Sequence, residues 1–168
     1  MIVGILSDTH DNVKKIGEAF RLFEEHDVGL VLHAGDHIVN GLYDDAPFRM
    51  TCVLGNWDDP YRFESYVNAE GFLIEFHEGT HHLKLDGRQI MLYHGNDEII
   101  IKELLNCQKY DLVITGHDHI PKKEVIGETW WLNPGHMKIP VRGNHPDYKN
   151  ATVALYDTYR NKCEIIEL

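Results

Sequence analysis

Two hydrophobic periods take turns along this chain. Residues 1–6, 28–32 and 50–54 are short, almost unbroken apolar runs, the pattern of strands buried on both faces. Between the first two, Val13, Ile16, Phe20 and Phe23 recur at helical spacing behind Asp11-Asn12, which can cap a helix running to about Glu25. A weaker amphipathic pattern predicts a helix over residues 60–68. Strand, helix, strand, strand is the mark of a parallel α/β unit. Further on, residues 72–76, 80–85 and 89–93 read as short strands, with Asp86-Gly87 as a hairpin turn, so this region is expected to be antiparallel. Asp97 can cap a helix to about Cys107, and residues 111–115 form another buried strand. Residues 121–126 and 129–132 resemble a hairpin around Gly127-Glu128, residues 133–150 a loop rich in Pro, Gly and Asn, and residues 152–156 and 163–166 a final strand pair. The fold class that follows is α/β: two packed mixed β-sheets flanked by helices, an αββα sandwich, as a single domain over residues 1–168. No internal repeat, low-complexity segment or linker interrupts it.

Composition narrows the function more than the fold. The 168 residues are 43% hydrophobic and 26% charged, ordinary for a globular protein able to bury a core. No apolar run approaches membrane-spanning length. The apolar opening lacks a basic leader and stops at Ser7-Asp8, too short for a secretory signal. Cys52, Cys107 and Cys163 are widely spaced and odd in number, which reads as reduced thiols. A cytoplasmic protein is expected. The net charge of −11 argues against a broad basic surface for nucleic acid, although an anionic substrate can bind where the site supplies its own positive charge.

Candidate chemistry gathers where the apolar runs end. Leu112-Val113-Ile114 leads into Gly116-His117-Asp118-His119, and in extended backbone residues i and i+2 project to the same side, which would present His117 and His119 together. Four other strand ends carry Asp8 and His10, Asp36, Asn56, and His94. In open α/β sheets such residues converge beyond the carboxyl ends of the strands. Gly35, Gly55, Gly95 and Gly116 stand beside them, allowing tight turns and close backbone approach.

The ordered set Asp8-Thr9-His10, Gly35-Asp36, Gly55-Asn56-Trp57-Asp58, His94-Gly95 and Gly116-His117-Asp118-His119 resembles the calcineurin-like metallophosphoesterases. The chain's size and Asn133-Pro134-Gly135 look most like their small prokaryotic phosphodiesterase branch. The resemblance implies two divalent metal ions. One would take Asp8, His10, Asp36 and His119; the other Asp36, Asn56, His94 and His117, with Asp36 bridging. Asp36, Asn56 and His94 would also be catalytic. Such a pair clamps a phosphoryl group and lowers the pKa of bound water, so that a bridging hydroxide attacks phosphorus in line. Two divalent ions, two carboxylates and one hydroxide leave a net positive site facing a phosphodiester anion. Mixed imidazole and oxygen ligands suit Mn, Fe, Zn, Co or Ni, with manganese heading that list.

Trp57 departs from the pattern. Many members have a histidine there that binds the phosphoryl group and helps protonate the leaving group, which tryptophan cannot do. His136, Arg142 and His145, in the late loop, read as surface residues or as supports behind the ligands, and could also reach the site to replace it; Asp58 could orient a ligand or cap a helix. His37 would point away from the site, and His81-His82 is expected on the surface. Trp130-Trp131 reads as packing, with an exposed tryptophan there offering a contact for a homo-oligomer. The expected function is a binuclear metal-dependent phosphodiesterase acting on a small phosphodiester or nucleotide-like substrate. The alternatives are a phosphomonoesterase or nucleotide pyrophosphohydrolase with the same metals, or a non-catalytic scaffold such as the retromer subunit that shares this fold.

Overall fold

The computed structural model describes residues 1–37, 46–67, 74–137 and 150–168. The opening apolar run forms β1 (Ile2–Leu6), followed by α1 (Val13–Glu25), β2 (Val28–His33), β3 (Met50–Val53), α2 (Pro60–Val67) and β4 (Ile74–His77). Then come β5 (Thr80–Leu85), β6 (Arg88–Tyr93), α3 (Glu98–Asn106), β7 (Leu112–Ile114), β8 (Lys122–Ile126), β9 (Thr129–Asn133), β10 (Thr152–Asp157) and β11 (Lys162–Glu167). The two well-formed helices start where capping chemistry puts them. The Asn12 side chain accepts from the Lys15 N–H at 3.3 Å, and Asp97 accepts from that of Ile99 at 2.8 Å.

The strands form two sheets, ordered β11-β10-β1-β2-β3-β4 and β5-β6-β7-β9-β8. The period of two along each strand sorts side chains into three layers. Val3 and Ile5 of β1, Leu32 of β2, Ile90 and Leu92 of β6, Leu112 and Ile114 of β7, and Tyr156 of β10 face one another between the sheets. The alternate residues face outward. Leu6, Val31, Cys52 and Val153 meet Ile16, Ala19 and Phe23 of α1 and Phe63 of α2. Met91 and Val113 meet Leu105 of α3 on the other side. This is the expected sandwich.

One expectation fails. The region from residue 72 to 93 is not antiparallel throughout: β4 pairs parallel to β3, Met50 against Ile74, at the edge of the first sheet, and only β5 and β6 form the hairpin. The physical reason is α2, which carries the chain back along the sheet, so β3-α2-β4 is a crossover unit whose strands must run the same way. No helix among the described residues is long and apolar enough to cross a membrane.

What matters for the site is direction. β1, β2 and β3 are parallel neighbours in one sheet, and β6 and β7 are parallel neighbours in the other. The carboxyl ends of the two sets meet across the sandwich, where the His117 N–H beyond β7 donates to the Asp8 carboxylate beyond β1 at 3.0 Å.

Helix α1 holds this arrangement by close contact with β1. Phe23 is fully buried, and a Cβ at Gly4 would lie 2.8 Å from its ring, so the aromatic face rests on bare backbone. Phe23→Ala should therefore lower stability by about 3–5 kcal/mol through cavity formation. Gly4→Ala should cost about 1–3 kcal/mol through overpacking. Urea unfolding measures both, and an unchanged midpoint for Gly4→Ala would show that the ring can retreat.

Candidate metal centre

All seven residues singled out at the strand ends face one cleft between the two sheets. Asp8, His10, Asp36 and His119 each place one ligand-capable atom within 4.8 Å of the others. His10 Nε2 is 3.3 Å from His119 Nε2 and 3.9 Å from Asp36 Oδ2, and His119 Nε2 is 3.1 Å from Asp8 Oδ1. A second group adjoins the first through Asp36. His94 Nε2 lies 3.5 Å from Asp36 Oδ1 and 2.9 Å from Asn56 Oδ1, which is itself 3.0 Å from His117 Nδ1.

The donor chemistry of both groups suits cations. His94 Nδ1 is 2.7 Å from the Ala34 carbonyl, which can only accept, so Nδ1 carries the proton. In the neutral ring that leaves the Nε2 lone pair facing the oxygens of Asn56 and Asp36, three acceptors with no hydrogen between them. A metal resolves such a cluster, and the carbonyl behind the imidazole is the usual means of orienting a ligating histidine. In the other group Asp8 Oδ1 is buried without a hydrogen bond of good geometry. Burial pushes the Asp8 carboxyl up, but hydrogen bonds from His119 and Ser7 and the nearby His94 outweigh it and hold it below the usual range. Burial dominates at Asp36 and pushes its carboxyl up, against the Trp57 N–H and His94.

The backbone takes a conformation that alternation does not supply. Asp8, His10, Asp36, His117 and His119 have φ of 50°, 43°, 59°, 71° and 63°, in the left-handed region that non-glycine residues seldom occupy. His117 and His119 do reach the same cleft, as expected, but not because the chain is extended there. Strand β7 ends at Ile114, and two left-handed residues fan the imidazoles toward different partners. Strain of this kind persists where surrounding contacts over-determine it. At Asp36 those contacts come from Asp58, whose Oδ2 accepts from the N–H groups of Asp36 at 2.9 Å and Gly55 at 2.7 Å, while its Oδ1 accepts from His37 at 2.7 Å. The Trp57 N–H donates in turn to Asp36 Oδ1 at 3.0 Å. Of the two roles open to Asp58, orientation of a neighbour is the one observed. At the other end, a Cβ on Gly116 would lie 2.6 Å from Asp8 Oδ2, so the strand tip passes too close for any side chain.

The remaining candidates separate. His136 is buried with its ring stacked on His119, centroids 5.2 Å apart, so it is no surface residue. Arg142 and His145 lie outside the described residues. His37 points away, as expected, with Nε2 3.0 Å from the Val53 carbonyl and its ring on His33 at 3.7 Å. His82 is exposed, and His81 is half-buried and stacked on His77. Trp130 and Trp131 are packed, their indoles donating to the Asn161 carbonyl and to Thr115. Sequence reasoning missed Ser7, which donates to Asp8, and the work of Asn133, whose amide holds the Gly116 carbonyl at 2.9 Å and Asp118 at 2.7 Å.

Two predictions follow from this framework of buried polar groups. Asp58→Asn keeps the shape but loses the charge that clasps three N–H groups, and should weaken divalent-metal binding about 10–100-fold in titration calorimetry. His33 and His37 are fully buried, and burial pushes both below the usual histidine range. The unfolded chain takes up protons that the folded chain refuses, so stability is present above about pH 6.5 and falls as pH drops below it. Each histidine contributes up to about 1.4 kcal/mol per pH unit. Urea midpoints should decline from about pH 7.5 to about pH 5.5, and His37→Gln should flatten that slope; an identical slope in the variant would clear His37 of the effect.

Comparison with known proteins agrees with the geometry. The family model of the calcineurin-like phosphoesterase superfamily domain matches residues 1–161. A probable metallophosphoesterase of Methanothermobacter thermautotrophicus is 33% identical over 147 residues, 83% of this chain and 79% of that one. A phosphodiesterase of Methanocaldococcus jannaschii is 26% identical over 142 residues, 80% of this chain and 83% of that one. Among solved structures, one described as a novel archaeal phosphodiesterase superposes with a TM-score of 0.86 at 23% identity, covering all of both chains. The match along nearly the whole chain, and the five strand ends that meet in one cleft, make this chain a member of the calcineurin-like phosphoesterase superfamily, metal-dependent hydrolases of phosphoric esters.

Proposed function

We propose that the chain, acting as one domain over residues 1–168, is a binuclear metal-dependent phosphodiesterase acting on a small phosphodiester. The observation that carries this is the joining of two donor groups through Asp36, whose Oδ2 faces His10 and whose Oδ1 faces His94. One ion would be held by Asp8, His10, Asp36 and His119, the other by Asp36, Asn56, His94 and His117. Bound there, two divalent ions supply Lewis-acid charge and lower the pKa of water. The imidazole and oxygen donors suit manganese, with Fe, Zn, Co and Ni as rivals. A scaffold of the same fold has no chemical need for a complete donor set. Cys52, Cys107 and Cys163 are all free, which supports a reducing, cytoplasmic setting.

The chain's own residues set the electrostatics and the proton economy. Imidazole and amide donors add no negative charge of their own, so two divalent ions would outweigh the carboxylates of Asp8 and Asp36 and attract a phosphodiester anion. Trp57 has no titratable proton, so departure of the leaving group depends on that group's own acidity. An aryl phosphodiester should turn over faster than an alkyl one.

With added manganese, bis(p-nitrophenyl) phosphate should be hydrolysed, and chelation should abolish turnover. Asp36→Ala and His94→Ala should each lower the rate by roughly 100-fold or more. Variants indistinguishable from the wild type, or turnover indifferent to chelator, would sink the reading. A stronger rate on p-nitrophenyl phosphate would favour the phosphomonoesterase or pyrophosphohydrolase instead.

A further inference from the structure

Trp57 is a large apolar side chain that the fold leaves in water. It is 66% exposed, although tryptophan gains more from burial than almost any other residue. Its backbone is nevertheless among the most tightly held in the cleft. Its N–H donates to Asp36, and the next residue, Asp58, is buried and ties Gly55, Asp36 and His37 together. The indole meets the ring of His10 edge-on, centroids 6.4 Å apart. A rigid backbone thus holds a bare aromatic face at the rim of the candidate metal centre.

We infer that Trp57 is a stacking platform for the substrate, so that the phosphodiester carries a flat aromatic group, a nucleobase, on the part that remains attached to phosphorus. This rests on the phosphodiesterase reading and sharpens its substrate class. The reasons are positional and chemical. The contact with His10 puts the ring beside the place where the phosphoryl group must bind, within reach of one of its substituents. The indole offers a π-face and one N–H, and neither can neutralise or protonate anything. What it can do is stack, and base stacking on an aromatic side chain is strong and tolerant of base identity. Pre-fixing the loop removes the ordering penalty that a mobile tryptophan would add on binding. In this reading Trp57 is a positioning residue: it orients the ester and takes no part in proton transfer.

Two measurements test this, one of them independent of turnover. Trp130 and Trp131 also emit, so quenching that disappears in Trp57→Phe is the part that belongs to Trp57. With manganese present, adenosine 5′-monophosphate should quench the emission, whereas ribose 5-phosphate and inorganic phosphate should not, and Trp57→Phe, which cannot report, should keep the nucleotide's affinity advantage in calorimetry. For turnover, two esters with the same leaving group are compared: thymidine 5′-(p-nitrophenyl phosphate) and methyl p-nitrophenyl phosphate. The nucleoside ester should lead in kcat/KM by about tenfold or more, through KM more than kcat. Trp57→Ala should remove most of that lead, and Trp57→Phe should restore it. Equal quenching by nucleotide and ribose phosphate, or a lead that survives Trp57→Ala, would overturn the inference. Failure to hydrolyse either ester would defeat the phosphodiesterase reading, while the quenching result would still decide the stacking.

Discussion

Two carboxylates withdrawn from water, Asp8 and Asp36, are the constraint the site is built around. Among the described residues the side chains facing them within ion-pairing distance are histidines, and no lysine or arginine is paired with either. A buried charge without a strong partner is among the costliest things a fold can contain. Everything close by answers that problem with dipoles: Ser7 and the His117 N–H donate to Asp8, and the Trp57 N–H donates to Asp36. These bonds spread the charge without cancelling it. Divalent positive charge is what such a pair of carboxylates is suited to hold.

Much of this could be read from residue order, because strand ends are punctuated. An apolar run that stops at a glycine and a metal-type side chain locates a functional position without any knowledge of the tertiary path, and the five runs here stop at Asp8, Asp36, Asn56, His94 and His117. The reason offered for pairing His117 with His119 was nevertheless wrong, since period-two alternation belongs to extended backbone and both residues are left-handed. The placement of β4 was legible and misread: a helical pattern between two apolar runs signals a crossover, which forces a parallel pair.

Other features were named by residue order but not placed by it. His136 lies against His119 because its segment is stitched to the loop between β1 and α1, with the Met137 N–H donating to the Asp8 carbonyl and Asn12 to the Met137 carbonyl. Contacts between residues more than a hundred positions apart leave no local pattern. The role of Asp58 was similarly ambiguous, because a carboxylate ahead of a helix looks the same whether it caps that helix or clasps another loop. Only the approach of β2 to β3 decides between the two.

The split origin of the donors has a further meaning. Asp8, His10, Asp36 and Asn56 hang from one sheet, His94, His117 and His119 from the other. An ion that engages both therefore acts as a rivet through the sandwich, and its binding energy adds to the cohesion of the two layers as well as to chemistry. By mass action, each tenfold rise in free metal above its dissociation constant adds about 1.4 kcal/mol to the folded state. The supply of metal in the cell would then govern how long a molecule survives, and not only how fast it works.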